Sequence, residues 1–327
     1  MRKHQPFLMP VTATANLTDT ANRLIAAERP GDALALVARA SMAGDPEACF
    51  LSGLWRLIGS PCPRDLPAAR QWLSRAAGHG HVGAGRMLVA LTANGTGGPA
   101  DWDAARALLM RLAETDPESA RQIATLDENR GPAVENLLAT HPSITIFRNF
   151  ASDAECTALR DSVADIIAPT MVIDPQTGRQ IAHPIRTSDG AVIGPTRESL
   201  VIQNVSRRIA EASGTDRLNG EPVHILRYRP GQQYRPHFDA VNGAANQRIL
   251  TAILYLNDDF GGGETDFPQV GARVRPEKGA LLLFSNCLVG GQPDRMALHA
   301  GLPVTRGEKW IATRWIRARR YDPWNPY

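Results

Sequence analysis

His224-Ile-Leu-Arg-Tyr-Arg-Pro-Gly-Gln-Gln-Tyr-Arg-Pro-His-Phe-Asp239 is the stretch that decides how the second half of the chain reads. Residues two apart on a strand face the same way, so the His237 imidazole and the Asp239 carboxylate can converge on one metal ion. A third ligand must come from elsewhere. His299 is the candidate, with Lys309 ten residues beyond it. His224 alternates within a strand pattern and reads as a packed or surface residue.

Working outward, a chain of 327 residues suggests about two domains, and a hydrophobic content of 43% is enough for real cores. The net charge of +3, from 36 basic and 33 acidic residues, requires neither nucleic acid nor a membrane surface as partner. Cys49, Cys62, Cys156 and Cys287 are scattered without a C-x-x-C pair and read as reduced thiols. The N-terminus has no continuous apolar core before Pro10, and no uncharged apolar run approaches a membrane span. The expected location is a reducing cytoplasm, where Fe(II) also survives more easily.

In chain order, residues 1–20 read as a polar lead-in, and a repeat follows over 21–131. A shift of 36 superposes Ala33, Ala69 and Ala105, then Val37, Leu73 and Leu109, then Arg39, Arg75 and Arg111. It also superposes Gly44, Gly80 and Asp116, then Ala48, Ala84 and Ala120, then Gly59, Gly95 and Gly131. Small residues at close-packing positions and glycine at a turn predict helix pairs, such as 46–58 with 66–77, stacked into a solenoid. The stretch resembles tetratricopeptide-like repeats of the SEL-one-like class, as in Ala76-Ala77-Gly78-His79-Gly80 through Ala84. Such arrays bind proteins or peptides on a concave face, and an array this short serves equally well as a support.

The period ends near Gly131-Pro132, so 132–142 is expected to be a linker carrying a helix over 133–139. From Ser143 the pattern changes. A strand at 143–147, helices from Ser152 (with Glu155 at the capping-box position) and over 197–212, and strands at 223–228, 249–256, 280–284 and 310–317 follow. Two helices and a set of short strands predict a C-terminal α+β domain over 143–320, built on a double-stranded β-helix, that is, a jelly-roll or cupin-like barrel. Residues 321–327 read as a tail.

Of eight histidines, His4, His79, His81, His141 and His183 have no partner at metal spacing. His237-x-Asp239 alone is a weak signal. Two histidines and one carboxylate on one face of an octahedron leave three positions open, the donor pattern of non-haem Fe(II) oxygenases. No H-E-x-x-H stretch supports a zinc hydrolase.

The surrounding residues sharpen this. Arg227-Tyr228-x-x-Gly231-x-x-Tyr234 leads into the pair. Tyr255-Leu256-Asn257, Gly262-Gly263-Glu264-Thr265-x-Phe267, Leu283-Phe284-x-Asn286, Leu298-His299-Ala300-Gly301-x-Pro303 and Gly307-Glu308-Lys309-Trp310 follow it. In order and spacing these motifs resemble prolyl 4-hydroxylase-type 2-oxoglutarate- and Fe(II)-dependent dioxygenases over residues 143–318.

The resemblance implies that His237, Asp239 and His299 hold Fe(II), that 2-oxoglutarate and O2 take the open positions, and that ascorbate can take part. Lys309 would pair with the distal carboxylate of 2-oxoglutarate, giving a buried lysine the anion it needs. Tyr228, Tyr255 and Thr265 match positions lining the cosubstrate pocket, although the tyrosines read equally well as strand packing. Tyr234, Arg248 and Trp315 match positions that contact the peptide substrate, and Arg186-Thr-Ser-Asp-Gly190 matches a motif near the substrate loop. The implied reaction hydroxylates an unactivated C–H bond, most simply of a prolyl residue, while 2-oxoglutarate loses CO2 to give succinate. Asp239 disfavours halogenation, and a lysine rather than an arginine at 309 disfavours nucleobase dealkylation. Two alternatives stand beside this: a hydroxylase of a free amino acid or small metabolite, and a repeat-based protein-binding scaffold with a secondary or inactive oxygenase domain.

Overall fold

The computed structural model describes residues 16–173, 180–182 and 185–325. The lead-in expected over 1–20 lies mostly outside the described residues, as do His4 and His183. Its described residues, 16–20, enter a helix that starts at Leu17 behind the Asn16 cap. The chain divides into two compact units, Met1–Asp101 and Trp102–Tyr327.

In the first unit, five helices follow one another: Leu17–Ala26, Pro30–Met42, Pro46–Ile58, Leu66–Gly78 and Val82–Asn94. Asp45, Asp65 and His81 each accept a backbone N–H three residues on, satisfying donors that a helix start leaves open. Gly59 and Gly95 end their helices at φ values of +82° and +81°, where a side chain would be strained. The superposed alanines and leucines form the contacts between helices: Ala33, Val37, Ala48, Ala69, Leu73 and Ala84 are all buried.

The period slips in its third unit. The helix Pro117–Leu126 starts behind Asp116, one residue earlier than an exact 36-residue shift from His81 requires. Ser119 is consequently the buried small residue and Ala120 is exposed, so the match of Ala120 to Ala48 and Ala84 fails. The helices Trp102–Ala113 and Pro117–Leu126 belong to the second unit, because the latter packs against Asp153–Asp161 and Leu200–Ser213. The compact boundary therefore falls at Asp101/Trp102 and not at 131.

The helix expected over 133–139 is a strand. Val134–Thr140 pairs antiparallel with Ser143–Arg148 across the 141–142 turn. Val134, Leu137 and Leu138 have helical spacing, but the neighbouring strand offers backbone partners that an isolated seven-residue helix lacks. The segment 132–142 is therefore part of a sheet and not a linker.

Among the described residues the larger sheet has eight strands. In spatial order they are Val134–Thr140, Ser143–Arg148, Leu281–Ser285, Arg248–Tyr255, Lys309–Arg317, Val223–Tyr228, Asp189–Ile193 and Ala168–Pro169, with antiparallel pairing throughout. A smaller sheet runs Ala272–Val274, Thr265–Phe267, His299–Gly301 and Tyr234–His237. Two short pairs, Gly261–Gly262 with Val304–Arg306 and Met171–Ile173 with Gln180–Ala182, complete the strands. Helices Asp153–Asp161 and Leu200–Ser213 cover one face of the large sheet, burying Cys156, Leu159, Ile202 and Val205 against Ile225, Leu254 and Leu281. The expected capping box at Ser152 and Glu155 is present. The other face meets the small sheet through Tyr228, Ile253, Tyr255, Phe267, Phe284 and Ile311. The site opens from that second core.

Candidate active site

His237 ends one strand of the small sheet and His299 begins its neighbour, and the two are direct cross-strand partners. Asp239 follows two residues after His237. Ligand atoms of the three lie within 4.8 Å of one another, the one such cluster of metal-ligating groups among the described residues. The Nε2 atoms of His237 and His299 stand 3.6 and 3.5 Å from the two oxygens of Asp239. All three side chains are buried.

Each imidazole is held from behind. Nδ1 of His237 lies 2.9 Å from the Arg235 carbonyl, and Nδ1 of His299 lies 3.0 Å from the Ala297 carbonyl. A carbonyl can only accept, so Nδ1 carries the proton and Nε2 presents its lone pair to the cluster. Tyr234 stacks on His237 with ring centres 3.4 Å apart, and Phe284 meets His299 edge-on. Burial draws the His299 pKa down to about 4, which keeps the ring neutral as a ligand must be. Burial pushes the Asp239 carboxyl upward, but positive charge on the neighbouring imidazoles before a metal replaces their protons, together with the Thr251 hydroxyl, outweighs it and leaves its pKa below the usual carboxylate range. Thr251 donates to Asp239 Oδ2 at 2.7 Å, and Asn286 donates to the Thr251 hydroxyl at 2.8 Å. Two neutral imidazoles and one anionic carboxylate, turned inward and supported from behind, suit a divalent first-row metal such as Fe(II).

The same cavity is lined by Tyr228, Thr265 and Lys309 and by Arg186, Tyr234 and Trp315. Lys309 is 4% exposed, and burial lowers its pKa to about 8. Its ammonium donates to the Gly263 carbonyl at 2.6 Å and lies 5.6 and 5.7 Å from the ring centres of Tyr228 and Tyr255. Tyr255 is fully buried behind the lining, its hydroxyl 2.8 Å from Thr265 Oγ1. Burial raises the pKa of both tyrosines, so both keep their protons. The cavity thus holds a cation and three metal-ligating side chains, with hydroxyls along the wall.

Arg248 stands apart from the lining. Its guanidinium grips Glu221 through two bonds of 2.6 and 2.8 Å and lies 4.0 Å from the centre of the Trp315 ring. Glu221 is itself buried and also accepts from Arg317 at 2.6 Å. His224 meets the Trp315 ring edge-on at 4.8 Å, and burial holds its pKa at about 4. It is a packed residue. Thr251 and Glu221 escape a reading of the sequence as site residues, and Asn286 and Gly263 stand in the motifs quoted above without a role assigned to them. Their partners are distant in sequence, and only strand register brings them together. Arg186 had one signal, the polar motif it opens, and its guanidinium lies 5.3 Å from the Tyr234 ring.

Residues 223–317 match the family described as the 2OG-Fe(II) oxygenase superfamily. The chain is 34% identical to prolyl 4-hydroxylase 1 of Arabidopsis thaliana over 208 residues, covering 58% of this chain and 74% of that protein. It is 33% identical to the probable prolyl 4-hydroxylase 9 of the same plant over 237 residues, covering 65% and 82%. Among solved structures it is similar to the viral collagen prolyl hydroxylase of Paramecium bursaria Chlorella virus-1 in its 2OG complex, with 31% identity, 54% of this chain and 96% of that chain covered, and a TM-score of 0.45.

Proposed function

The chain belongs to the prolyl 4-hydroxylase family of 2-oxoglutarate/Fe(II) dioxygenases, and from that membership we propose that it hydroxylates a prolyl residue in a peptide or protein. Each hydroxylation is coupled to decarboxylation of one 2-oxoglutarate to succinate. The observation that carries this reading is the convergence of His237, Asp239, His299 and Lys309 on one cavity that Tyr234 and Trp315 also line.

His237, Asp239 and His299 would hold Fe(II). With 2-oxoglutarate as electron donor, the metal supplies the power to activate O2 and oxidise a C–H bond. The protein supplies position and dryness. The Arg235 and Ala297 carbonyls fix the imidazoles, and Thr251 fixes the carboxylate. Lys309 pairs with the distal carboxylate of 2-oxoglutarate, and the Thr265 hydroxyl, shared with Tyr255, offers a further polar contact along the wall. Tyr234 and Trp315 form an aromatic wall for a pyrrolidine ring, stiffened by Arg248 lying on Trp315.

The antiparallel large and small sheets, with the site opening between them, support reading this domain as a double-stranded β-helix. The successive helix pairs upstream support reading that region as a tetratricopeptide-like array. Among the described residues no helix is long and apolar enough to cross a membrane.

The test is turnover by the full chain with Fe(II), 2-oxoglutarate and ascorbate across a panel of proline-containing peptides and free amino acids. Succinate release matched by one added oxygen on a prolyl residue, absent in His237→Ala, is the expected result. Turnover of free amino acids with none on any peptide would overturn the peptidyl part.

A further inference from the structure

Resting on the assignment of Lys309 to 2-oxoglutarate, we infer that Gly263 is a positioning residue that sets where the Lys309 ammonium stands, and thereby the length of 2-oxo diacid the pocket accepts. A buried ammonium must find acceptors. Among the described residues Lys309 makes one side-chain hydrogen bond, the 2.6 Å bond to the Gly263 carbonyl. An ammonium has three donors, so two remain for a carboxylate.

That carbonyl does not move freely. The Gly263 N–H donates to Pro303 O at 3.0 Å, and the preceding Gly261–Gly262 pairs with Val304–Arg306. Beyond Gly263 the Glu264 carbonyl accepts from the Leu302 N–H at 2.9 Å, so the backbone on both sides of the lysine's acceptor is fastened to the segment 302–306 that leads toward Lys309. Gly263 also leaves room for the lysine stem. It sits at φ +71°, and a Cβ there would lie 3.0 Å from Lys309 Cδ, 3.1 Å from Phe260 Cε2 and 3.3 Å from Val304 Cγ2. Lys309 lines the cavity, and Gly263 is not among its lining residues. On this inference an added carbon pushes the stem away from Gly263 toward the cavity that Lys309 lines, shortening the space left for the diacid and loosening the bond that aims the ammonium.

The experiment uses the full chain loaded with Mn(II) in place of iron and measures, by calorimetry, the Kd of oxaloacetate, 2-oxoglutarate and 2-oxoadipate. Gly263→Ala is expected to weaken 2-oxoglutarate about tenfold, 2-oxoadipate more and oxaloacetate less, the scale of one charged hydrogen bond. Mn(II) affinity should hold, and the KM for 2-oxoglutarate should rise by a larger factor than kcat falls. Added to Lys309→Met, the same glycine change should alter no diacid Kd further. An equal loss for all three diacids, or the full loss persisting without the lysine ammonium, would overturn the inference. A failure of 2-oxoglutarate to bind the parent protein would instead sink the cosubstrate reading itself. Should the left-handed backbone keep Gly263→Ala from folding, the unaltered protein still decides. With 15N-lysine labelling, Lys309 should give a slowly exchanging ammonium signal, absent in Lys309→Met, that shifts when 2-oxoglutarate is added. Solvent-rapid exchange at that position would contradict the bond.

Discussion

Lys309 in the cavity lining and Arg248 behind the Trp315 wall are both cations, yet they are built for different guests. Lys309 is buried with a single carbonyl as acceptor, its pKa drawn down to about 8, a cation that gains from meeting a small anion. Arg248 already grips Glu221 with both arms, and Arg317 shares the same carboxylate. A guanidinium neutralised in this way offers a flat surface rather than a charge. It backs the Trp315 ring, and the combined wall suits an uncharged ring better than an acidic side chain. The contrast teaches that a residue's charge predicts its guest only after its permanent partners are known.

Substitutions break or sharpen this contrast in a definite order. Asp239→Ala should abolish turnover while the helical circular dichroism signal persists, because it removes the one anionic ligand and leaves the helices untouched. Glu221→Gln should cost about 3 kcal/mol of stability in denaturant unfolding, since it leaves two arginines around a lost buried charge. It should also shift peptide preference toward acidic residues beside the proline, leaving 2-oxoglutarate affinity alone. Lys309→Met should do the reverse, raising the Kd for 2-oxoglutarate about thirtyfold and changing peptide preference little. Thr251→Val should weaken Mn(II) binding about tenfold, the scale seen when a supporting partner of a metal ligand is removed.

The smallest effect is on pH. In the free protein Lys309 keeps its proton below about 8 and loses it as pH rises through that value. Affinity for 2-oxoglutarate, measured on the Mn(II) form, should therefore decline above about pH 8, and the decline should vanish in Lys309→Met. Stability has the opposite sign. The folded pKa lies below the ordinary 10.5, so the folded state binds this proton less readily than the unfolded chain. This group's contribution therefore improves as pH rises between the two values.

Much of the metal end was legible because it obeys short-range rules. A spacing of two residues keeps Asp239 beside His237 even though the strand ends at His237, and the strand that starts at Lys309 buries that residue. What the sequence hid depends on register between distant strands. Glu221 and Arg248 are 27 residues apart, and Thr251 and Asn286 are 35 apart. The segment 134–140 shows the same limit from the other side, since its helical spacing was overridden by a neighbouring strand. The repeat failed in its third unit, where one residue was lost at Asp116 and the helix ended at Leu126 without reaching Gly131, so that Gly131 does not cap a helix as Gly59 and Gly95 do; periodic reading has no means of seeing such a slip.

The most direct test of the central claim follows both halves of the reaction in a single turnover under heavy-isotope dioxygen. The account predicts one labelled oxygen in succinate and one on a prolyl residue of the peptide, in equal amounts. Labelled succinate accumulating with an unlabelled peptide across the whole proline panel would contradict it.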